Sequence, residues 1–134
     1  MTASAGVAAH SCLAFDFSTL RVGVAVGNSL SRSAQPLKTL AQLGDARFKA
    51  IESLIREWQP DALVVGVPVH ADGVEHDNTR RARRFARQLE GRFRLPVHEV
   101  DERYTTVAAR ADGAADVDAA AAALILDQHW RGQG

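Results

Sequence analysis

The N-terminal part of the chain has two apolar runs separated by a short polar turn. Residues 13–27 read Leu-Ala-Phe-Asp-Phe-Ser-Thr-Leu-Arg-Val-Gly-Val-Ala-Val-Gly. This pattern predicts two strands, at 12–17 and 21–27, that pair as an antiparallel hairpin. Asp16 lies inside the first apolar run, and a buried lone carboxylate is unfavourable unless a cation or hydrogen bonds meet it. The hairpin therefore predicts a sheet in which Asp16 has a binding partner.

The second strand of the hairpin has unequal faces. Val22, Val24 and Val26 alternate with small residues, and the small face leaves space for another element to come close. The remaining elements are predicted as strand, helix, strand, helix, strand and helix, over residues 34–40, 45–59, 61–67, 78–93, 96–101 and 117–130. This order predicts an α/β fold, in which the antiparallel N-terminal hairpin continues into parallel strands and helices cover both faces of the mixed sheet.

Local signals refine these elements. Pro36 favours an edge position for the third strand, because proline cannot donate a ladder hydrogen bond. The run at 61–67 is continuously apolar, which is typical of a central strand covered on both faces. Asn78 or Thr79 is expected to cap the second helix, and Asp116 to cap the last one.

Composition limits the classes of protein that the chain can represent. It has 134 residues, no formal net charge and one cysteine, Cys12. We therefore expect one domain over residues 12–131 after a flexible N-terminus at 1–11, with no disulfide framework and a reducing, cytoplasmic location. No apolar run approaches 18 residues, so no membrane partner is expected. The five histidines lack the paired spacing of a structural zinc site.

Acidic residues stand at element ends that could converge. They are Asp16, the pair Asp101–Glu102 at the end of the last strand, and Asp118 in the first turn of the last helix. In α/β sheets, strand ends and helix starts line the usual ligand crevice. Grouped carboxylates suit Mg²⁺ or Mn²⁺, and two such ions about 4 Å apart can activate water and stabilise a leaving oxygen in phosphodiester hydrolysis.

Each acid also has a simpler interpretation. Asp118 could only complement the helix dipole, and Asp101, Glu102 and Arg103 could form a solvated cluster with an internal ion pair. Asp16 could accept hydrogen bonds from the neighbouring turn. Convergence of the acids on one cation is therefore a hypothesis.

A basic stripe is predicted on the second helix. Arg80, Arg84 and Arg87 fall on one helical face, and residues 78–94 hold seven arginines against one acid, Glu90. Arginine forks suit phosphate oxygens, and a basic stripe is typical of nucleic-acid binding. The alternative is a solvated face that serves solubility. We favour phosphate binding because the charge is so one-sided.

Four motifs occur in a fixed order along the chain. They are Asp16-Phe-Ser-Thr-Leu-Arg-Val-Gly-Val-Ala-Val26, Val65-Gly-Val-Pro-Val-His-Ala-Asp-Gly73, Asp101-Glu-Arg-Tyr-Thr-Thr106, and Val117-Asp118 before an Ala/Leu/Ile helix. In this order, they resemble the YqgF/RuvX family over roughly residues 12–130. The resemblance implies a ribonuclease-H-like (RNase H-like) fold and a cytoplasmic nuclease of pre-16S rRNA, earlier described as a Holliday-junction resolvase by analogy with RuvC.

The resemblance also implies roles for particular residues. Asp16, Glu102 and Asp118 take the places of the catalytic, metal-binding acids, with Mg²⁺ or Mn²⁺ as cofactor. Glu102 is preferred to Asp101 because related resolvases have a glutamate there, although strand alternation does not decide between the two. The nucleic-acid contacts are assigned to four arginines, Arg80, Arg84, Arg87 and Arg103.

The chain departs from the family pattern at three places. Ser18 stands where glycine is usual, and it would be slightly strained if the turn required a positive φ. Leu20 stands where a basic residue is usual. The segment between Thr106 and Val117 is short and lacks a lysine-rich stretch, so substrate binding should depend more on the arginine helix.

Three functions remain open from the sequence. The leading one is a metal-dependent endo- or exonuclease that matures the 5′ end of the small-subunit rRNA, as a monomer or weak homodimer. The second is a DNA endonuclease for four-way junctions, which would need a symmetric dimer to face two strands. The third is a non-catalytic RNA-binding or ribosome-assembly module that has kept the fold.

Overall fold

The fold is a five-stranded sheet with helices on both faces. The structure, a computed structural model, describes residues 10–68, 75–101 and 116–132. In chain order the elements are β1 (Ser11–Phe17), β2 (Val22–Asn28), β3 (Ser33–Leu40), α1 (Gly44–Trp58), β4 (Ala62–Val67), α2 (Asp77–Phe93), β5 (Val97–Asp101) and α3 (Val117–Gly132). The predicted α/β class is confirmed. The predicted flexible N-terminus falls mainly outside the described residues and stays a prediction.

The sheet has the strand order β3-β2-β1-β4-β5, with β1 at the centre. β1 and β2 form the predicted antiparallel hairpin, and β2 pairs antiparallel with β3. β4 joins β1 in parallel and β5 joins β4 in parallel, so the sheet changes from antiparallel to parallel at its centre. β3 lies at one edge as Pro36 indicated, and the register shifts there between Val24 and Ala25.

The two faces of the sheet carry different cores. One face packs α1 and α2 against the large apolar side chains of β1 and β2, where Phe85 of α2 contacts the rings of Phe15, Phe17 and Phe48. The other face packs α3 through Ile125, Leu126 and Trp130. Because strand side chains alternate, Asp16 lies on the α3 face together with Ala14.

The small face of β2 allows α3 to lie very close to the sheet, as predicted. A Cβ added to Gly23 would stand 1.9 Å from the backbone oxygen of Asp118, and one on Gly27 would stand 2.5 Å from the Trp130 ring. Both are below any normal contact distance. Glycine at these positions therefore determines how closely α3 packs.

The start of α2 differs from the sequence expectation. The helix begins at Asp77, and its N-cap residue, His76, makes no side-chain capping bond. The prediction that Asn78 or Thr79 caps the helix is wrong. Thr79 is buried in the first turn, and its hydroxyl donates to the backbone oxygen of Pro68 at 2.6 Å. This hydroxyl therefore ties α2 to the end of β4.

None of the helices within the described ranges is long and apolar enough to cross a bilayer.

Candidate functional site

The candidate site is built on one row of residues that crosses all five strands. The registers align Thr39 of β3, Gly23 of β2, Asp16 of β1, Gly66 of β4 and Val100 of β5. Val100 packs in the α3-side core, which fixes the face to which the row belongs. Asp16 thus lies at the centre of the sheet, with a glycine on each side, on the face covered by α3.

Helix α3 brings a second predicted acid to this row. The backbone of Asp118 lies directly over Gly23, as the 1.9 Å approach to an added Cβ shows. Gly23 is the cross-strand partner of Asp16, and such partners have Cα atoms about 5 Å apart. The structure therefore brings Asp16 and Asp118 to the same end of the same sheet face.

The first turn of α3 is fixed to the row by Asp116. Its Oδ1 accepts a hydrogen bond from the backbone N–H of Ala119 at 3.0 Å, which is the predicted N-cap. The same oxygen accepts a hydrogen bond from the Thr39 hydroxyl. Because Thr39 belongs to the row, the cap holds the start of α3 against the edge strand as well as satisfying the helix.

Arg21 forms an ion pair with Asp118, which no sequence pattern indicates. The Arg21 Nε lies 2.9 Å from the Asp118 Oδ2, and the two side chains are 59% and 31% exposed. The pair joins the end of the β1–β2 turn to the start of α3. Asp118 thus already binds a cationic group that solvent can reach.

The β1–β2 turn is closed by Ser18. Its N–H and its hydroxyl both donate to the Arg21 carbonyl oxygen, at 2.9 and 2.8 Å, and the Arg21 N–H donates to the Ser18 Oγ at 3.1 Å. In the described ranges, the residues other than glycine with positive φ are Arg32, Gln59 and Arg94. The turn therefore does not require a positive φ at Ser18, so the condition under which this serine would be strained is not met.

Of the two candidates for the strand-end acid, Asp101 is the one within the described residues. Glu99 ion-pairs with Arg83 of α2 at 3.4 Å, while Val100 packs on the α3 side. Strand alternation then places Asp101 on the α2 face, opposite Asp16. Glu102 lies outside the described residues.

The donor set suits a hard cation. Asp16 and Asp118 supply carboxylate oxygens, which Mg²⁺ and Mn²⁺ prefer. Asp118 binds a positive charge in this structure, the Arg21 guanidinium. Within the described ranges, no group of three or more His, Cys, Asp and Glu side chains could hold a metal ion. Asp16 and Asp118 therefore supply two carboxylate groups of the kind that such a cation prefers, and a metal site that includes them stays a prediction.

The predicted arginine stripe divides into engaged and available side chains. Arg80 ion-pairs with Asp77 and donates to the backbone oxygen of Glu75. Arg84 and Arg87 are exposed and have no acidic partner in the described ranges. Arg103 lies outside the described residues. Nucleic-acid binding by Arg84 and Arg87 stays a prediction.

A second group of titratable side chains lies at the opposite end of the sheet. His98 and His129 have ring centroids 4.9 Å apart, and both line a cavity of about 490 Å³ that also contains Cys12. Burial, with the nearby Asp61 carboxylate, raises the pKa of the Cys12 thiol to about 11. Burial, and then the neighbouring His98, lower the pKa of His129. The Cys12 thiol, with its raised pKa, is therefore a weak nucleophile at neutral pH.

The class of protein follows from comparison of the fold with solved structures. The Thermus thermophilus RuvC in complex with a Holliday junction substrate is similar, with a TM-score of 0.57 and 13% identity over 92% of this chain and 95% of that chain. A second T. thermophilus RuvC structure gives a TM-score of 0.53 at 12% identity, with the same coverage. The chain therefore has the RNase H-like fold, as predicted.

Sequence comparison then identifies the family. The family model described as "RuvX: Holliday junction resolvase" matches residues 10–131. A relative from Polaromonas sp. is 64% identical over 119 residues, which cover 89% of this chain and 86% of the relative. One from Burkholderia pseudomallei is 54% identical over 127 residues, covering 90% and 87%. Both are named "Putative pre-16S rRNA nuclease". The chain belongs to the RuvX family, and these names support the prediction of a nuclease.

Proposed function

We propose that this protein is a metal-dependent nuclease that hydrolyses phosphodiester bonds of RNA, in maturation of the 5′ end of pre-16S rRNA in the cytoplasm. The observation that carries the proposal is the position of the Asp118 backbone over Gly23, the cross-strand partner of Asp16, in an RNase H-like sheet. The names of its relatives favour RNA as the substrate. A non-catalytic binding module would not need two adjacent acids reachable from solvent.

The proposed metal ligands are Asp16, Asp118 and Glu102. We choose Glu102 as the third because alternation puts Asp101 on the other face of the sheet. When bound, Mg²⁺ or Mn²⁺ would supply Lewis-acid activation of water and stabilise the charge on the leaving oxygen. The residues of the chain must hold the carboxylates at a fixed separation and bind the RNA backbone.

The contacts around Asp118 hold its carboxylate at a fixed position. Thr39 and Asp116 fix the start of α3 over the sheet, so the Asp118 carboxylate projects from a restrained backbone. Because Gly23 has no side chain, the α3 backbone at Asp118 can lie close to β2, the strand that pairs with Asp16 of β1. Precise placement matters because a displacement of 1 Å at a reacting group can lower the rate about 100-fold.

The proposed nucleic-acid contacts are Arg84 and Arg87, with Arg80 and Arg103. Helix α2 covers the face opposite α3, and a helix is about 10 Å in diameter with its side chains. Arginines on its outer side therefore lie at least about 10 Å from the sheet. They would bind phosphates several nucleotides away from the bond that is cleaved, which favours a substrate with an extended single-stranded or flexible end.

The second candidate function is cleavage of four-way DNA junctions, which the description of the matching family names. That reaction needs two active sites facing two strands, hence a symmetric dimer. We propose a monomer or weak homodimer, so the two candidates differ in assembly. Light scattering with and without junction DNA separates them: a stable dimer formed on the junction would favour the second.

The test compares substrates and one pair of acidic variants. Cleavage of an RNA that spans the 5′ end of pre-16S rRNA, and of a four-way DNA junction, is measured in Mg²⁺ and in Mn²⁺. We expect the RNA to be cleaved faster, and Asp118→Asn to lower kcat at least about 100-fold, since electrostatic terms of several kcal/mol are lost.

The matched control is Asp127→Asn, on the same helix but nine residues further on, or about 13 Å along the axis. Its rate should stay within about twofold of the wild type, because the site is out of its reach. Faster cleavage of the junction than of the RNA would favour the second candidate function, a DNA endonuclease. Equal rates for the wild type and Asp118→Asn would exclude the site.

A further inference from the structure

We propose that Arg21 is an exchangeable cation in this site. In the free protein its guanidinium neutralises Asp118, and when a divalent ion binds it turns to a phosphate of the substrate next to the reacting group. This inference rests on the proposed function, and it assigns a role to a residue that neither the sequence pattern nor the comparisons assign.

The geometry places Arg21 where a metal ion would compete with it. Its Nε lies 2.9 Å from the Asp118 Oδ2, so it occupies one of the carboxylate oxygens. A divalent ion on the same carboxylate would stand within a few ångströms of the guanidinium. Like charges at that separation repel one another even in water. The two cations therefore cannot share Asp118 without a penalty.

Replacing Arg21 by a metal ion at Asp118 changes the stability of the fold little, because the ion pair is exposed. The Arg21 side chain is 59% exposed and that of Asp118 is 31% exposed. Ion pairs between side chains this exposed are weak, because water and salt screen the charges. Breaking the pair thus removes little stability, and a doubly charged ion can displace the guanidinium.

The backbone of Arg21 stays fixed while its side chain moves. Ser18 holds it through the two hydrogen bonds to its carbonyl oxygen and the one from its N–H. The long side chain then pivots from a defined point at the edge of the site. Ser18 is accordingly a positioning residue for Arg21, in a turn that lies directly after the β1 strand of Asp16.

The chemistry of the Arg21 guanidinium indicates which ligand it binds after it leaves Asp118. A guanidinium binds phosphate oxygens through its planar fork of donors, more specifically than an ammonium does. The reach of Arg21 to Asp118 puts that fork beside the acids, whereas Arg84 and Arg87 lie on the other face. The phosphate that Arg21 binds is therefore at or next to the scissile bond of the substrate.

The test measures metal binding and RNA binding separately. Mn²⁺ affinity is measured by calorimetry without nucleic acid, and RNA affinity by fluorescence anisotropy in Ca²⁺, both at low salt. Arg21→Gln should bind Mn²⁺ about three- to tenfold more tightly, because a competing charge is removed. The same variant should bind RNA about tenfold more weakly, because a phosphate contact is lost.

Two further variants separate charge from packing. Arg21→Lys keeps the charge and should leave the Mn²⁺ affinity within about twofold of the wild type, with RNA affinity between that of the wild type and Arg21→Gln. Arg32→Gln, an exposed arginine in the next turn, should leave both affinities within about twofold of the wild type.

The outcomes separate this inference from the proposed function. Weaker or unchanged Mn²⁺ binding by Arg21→Gln, beside normal binding by the wild type, would show that Arg21 only supports Asp118 and would overturn the inference alone. Failure of the wild-type protein to bind Mn²⁺ more tightly than Asp16→Asn would overturn the metal site itself, and the inference with it.

Discussion

Gly23 is the residue at which a single methyl group should disturb the site most. A Cβ there would meet the backbone oxygen of Asp118 at 1.9 Å, and a helix backbone cannot rotate away as a side chain can. We expect Gly23→Ala to displace the start of α3 and to lower the free energy of unfolding by about 1–3 kcal/mol or more. Urea unfolding followed by circular dichroism measures this change.

Gly91→Ala is the matched control for that substitution. Gly91 lies inside α2, and an added Cβ would meet nothing within 4 Å. Alanine favours a helix interior over glycine by about 0.5–1 kcal/mol, so this variant should be more stable than the wild type. Equal stability of Gly23→Ala and the wild type would mean that α3 lies further from the sheet than described.

The pKa of His129 links stability to pH. Burial, and then the neighbouring His98, lower this pKa from its ordinary value of 6.5, so the folded state disfavours the charged imidazole. The unfolded chain then binds more protons, and stability is lost as pH falls through about 6.5. We expect the wild type to lose more stability than His129→Gln between pH 7.5 and pH 5.5, measured by thermal unfolding.

The Asp127 carboxyl acts on stability in the opposite sense to His129. Its pKa is raised by burial, which outweighs the lowering by Arg131, so the folded state favours the neutral acid. Its contribution to stability therefore increases as pH falls through the raised pKa. Because the wild type and His129→Gln both carry Asp127, its contribution cancels when their pH profiles are compared. Parallel pH profiles for the wild type and His129→Gln would contradict the assignment.

At the scale of elements, the cap of α3 joins helix and sheet. Asp116 satisfies the Ala119 N–H and also accepts from the Thr39 hydroxyl. Asp116→Ala should lower the free energy of unfolding by about 1 kcal/mol, which is the usual contribution of an N-cap. Thr39→Val should lower it less, because the cap itself remains. An Asp116→Ala variant as stable as the wild type in urea would show that the cap is not used.

The sequence predicted most of the elements because their signals are local. Apolar periodicity placed α1 at 45–59 and the structure has Gly44–Trp58, and the alternation of Val22, Val24 and Val26 gave the correct core face of β2. The errors arose from contacts distant in sequence or from side-chain chemistry. Thr79 bonds the end of β4 instead of capping α2, because its hydroxyl reaches the Pro68 carbonyl oxygen eleven residues earlier in the chain.

The candidate site was predictable only in part for the same reason. Asp16 could be selected because an acid inside an apolar strand is unusual. Its meeting with Asp118 was a hypothesis, since the sequence does not specify which strand row α3 crosses. The ion pair between Arg21 and Asp118 spans 97 positions and depends on that crossing, so no local pattern indicates it.

At the scale of the whole molecule, the two faces of the sheet present side chains of opposite charge. The α3 face holds Asp16 and Asp118, and the α2 face holds the available Arg84 and Arg87. The carboxyl ends of the parallel strands β1 and β4 lie between these two surfaces. A substrate strand that contacts both must therefore pass over this end of the sheet, which is where ligands of α/β folds bind.

The most direct test of the account is metal-dependent cleavage by the wild type and Asp16→Asn, side by side, on the pre-16S RNA substrate. We predict cleavage in Mg²⁺ or Mn²⁺, none in excess EDTA, and a rate at least about 100-fold lower for Asp16→Asn. The variant should remain folded by circular dichroism. Equal cleavage rates for the two proteins, or full activity in EDTA, would contradict the central claim that these carboxylates hold a catalytic metal ion.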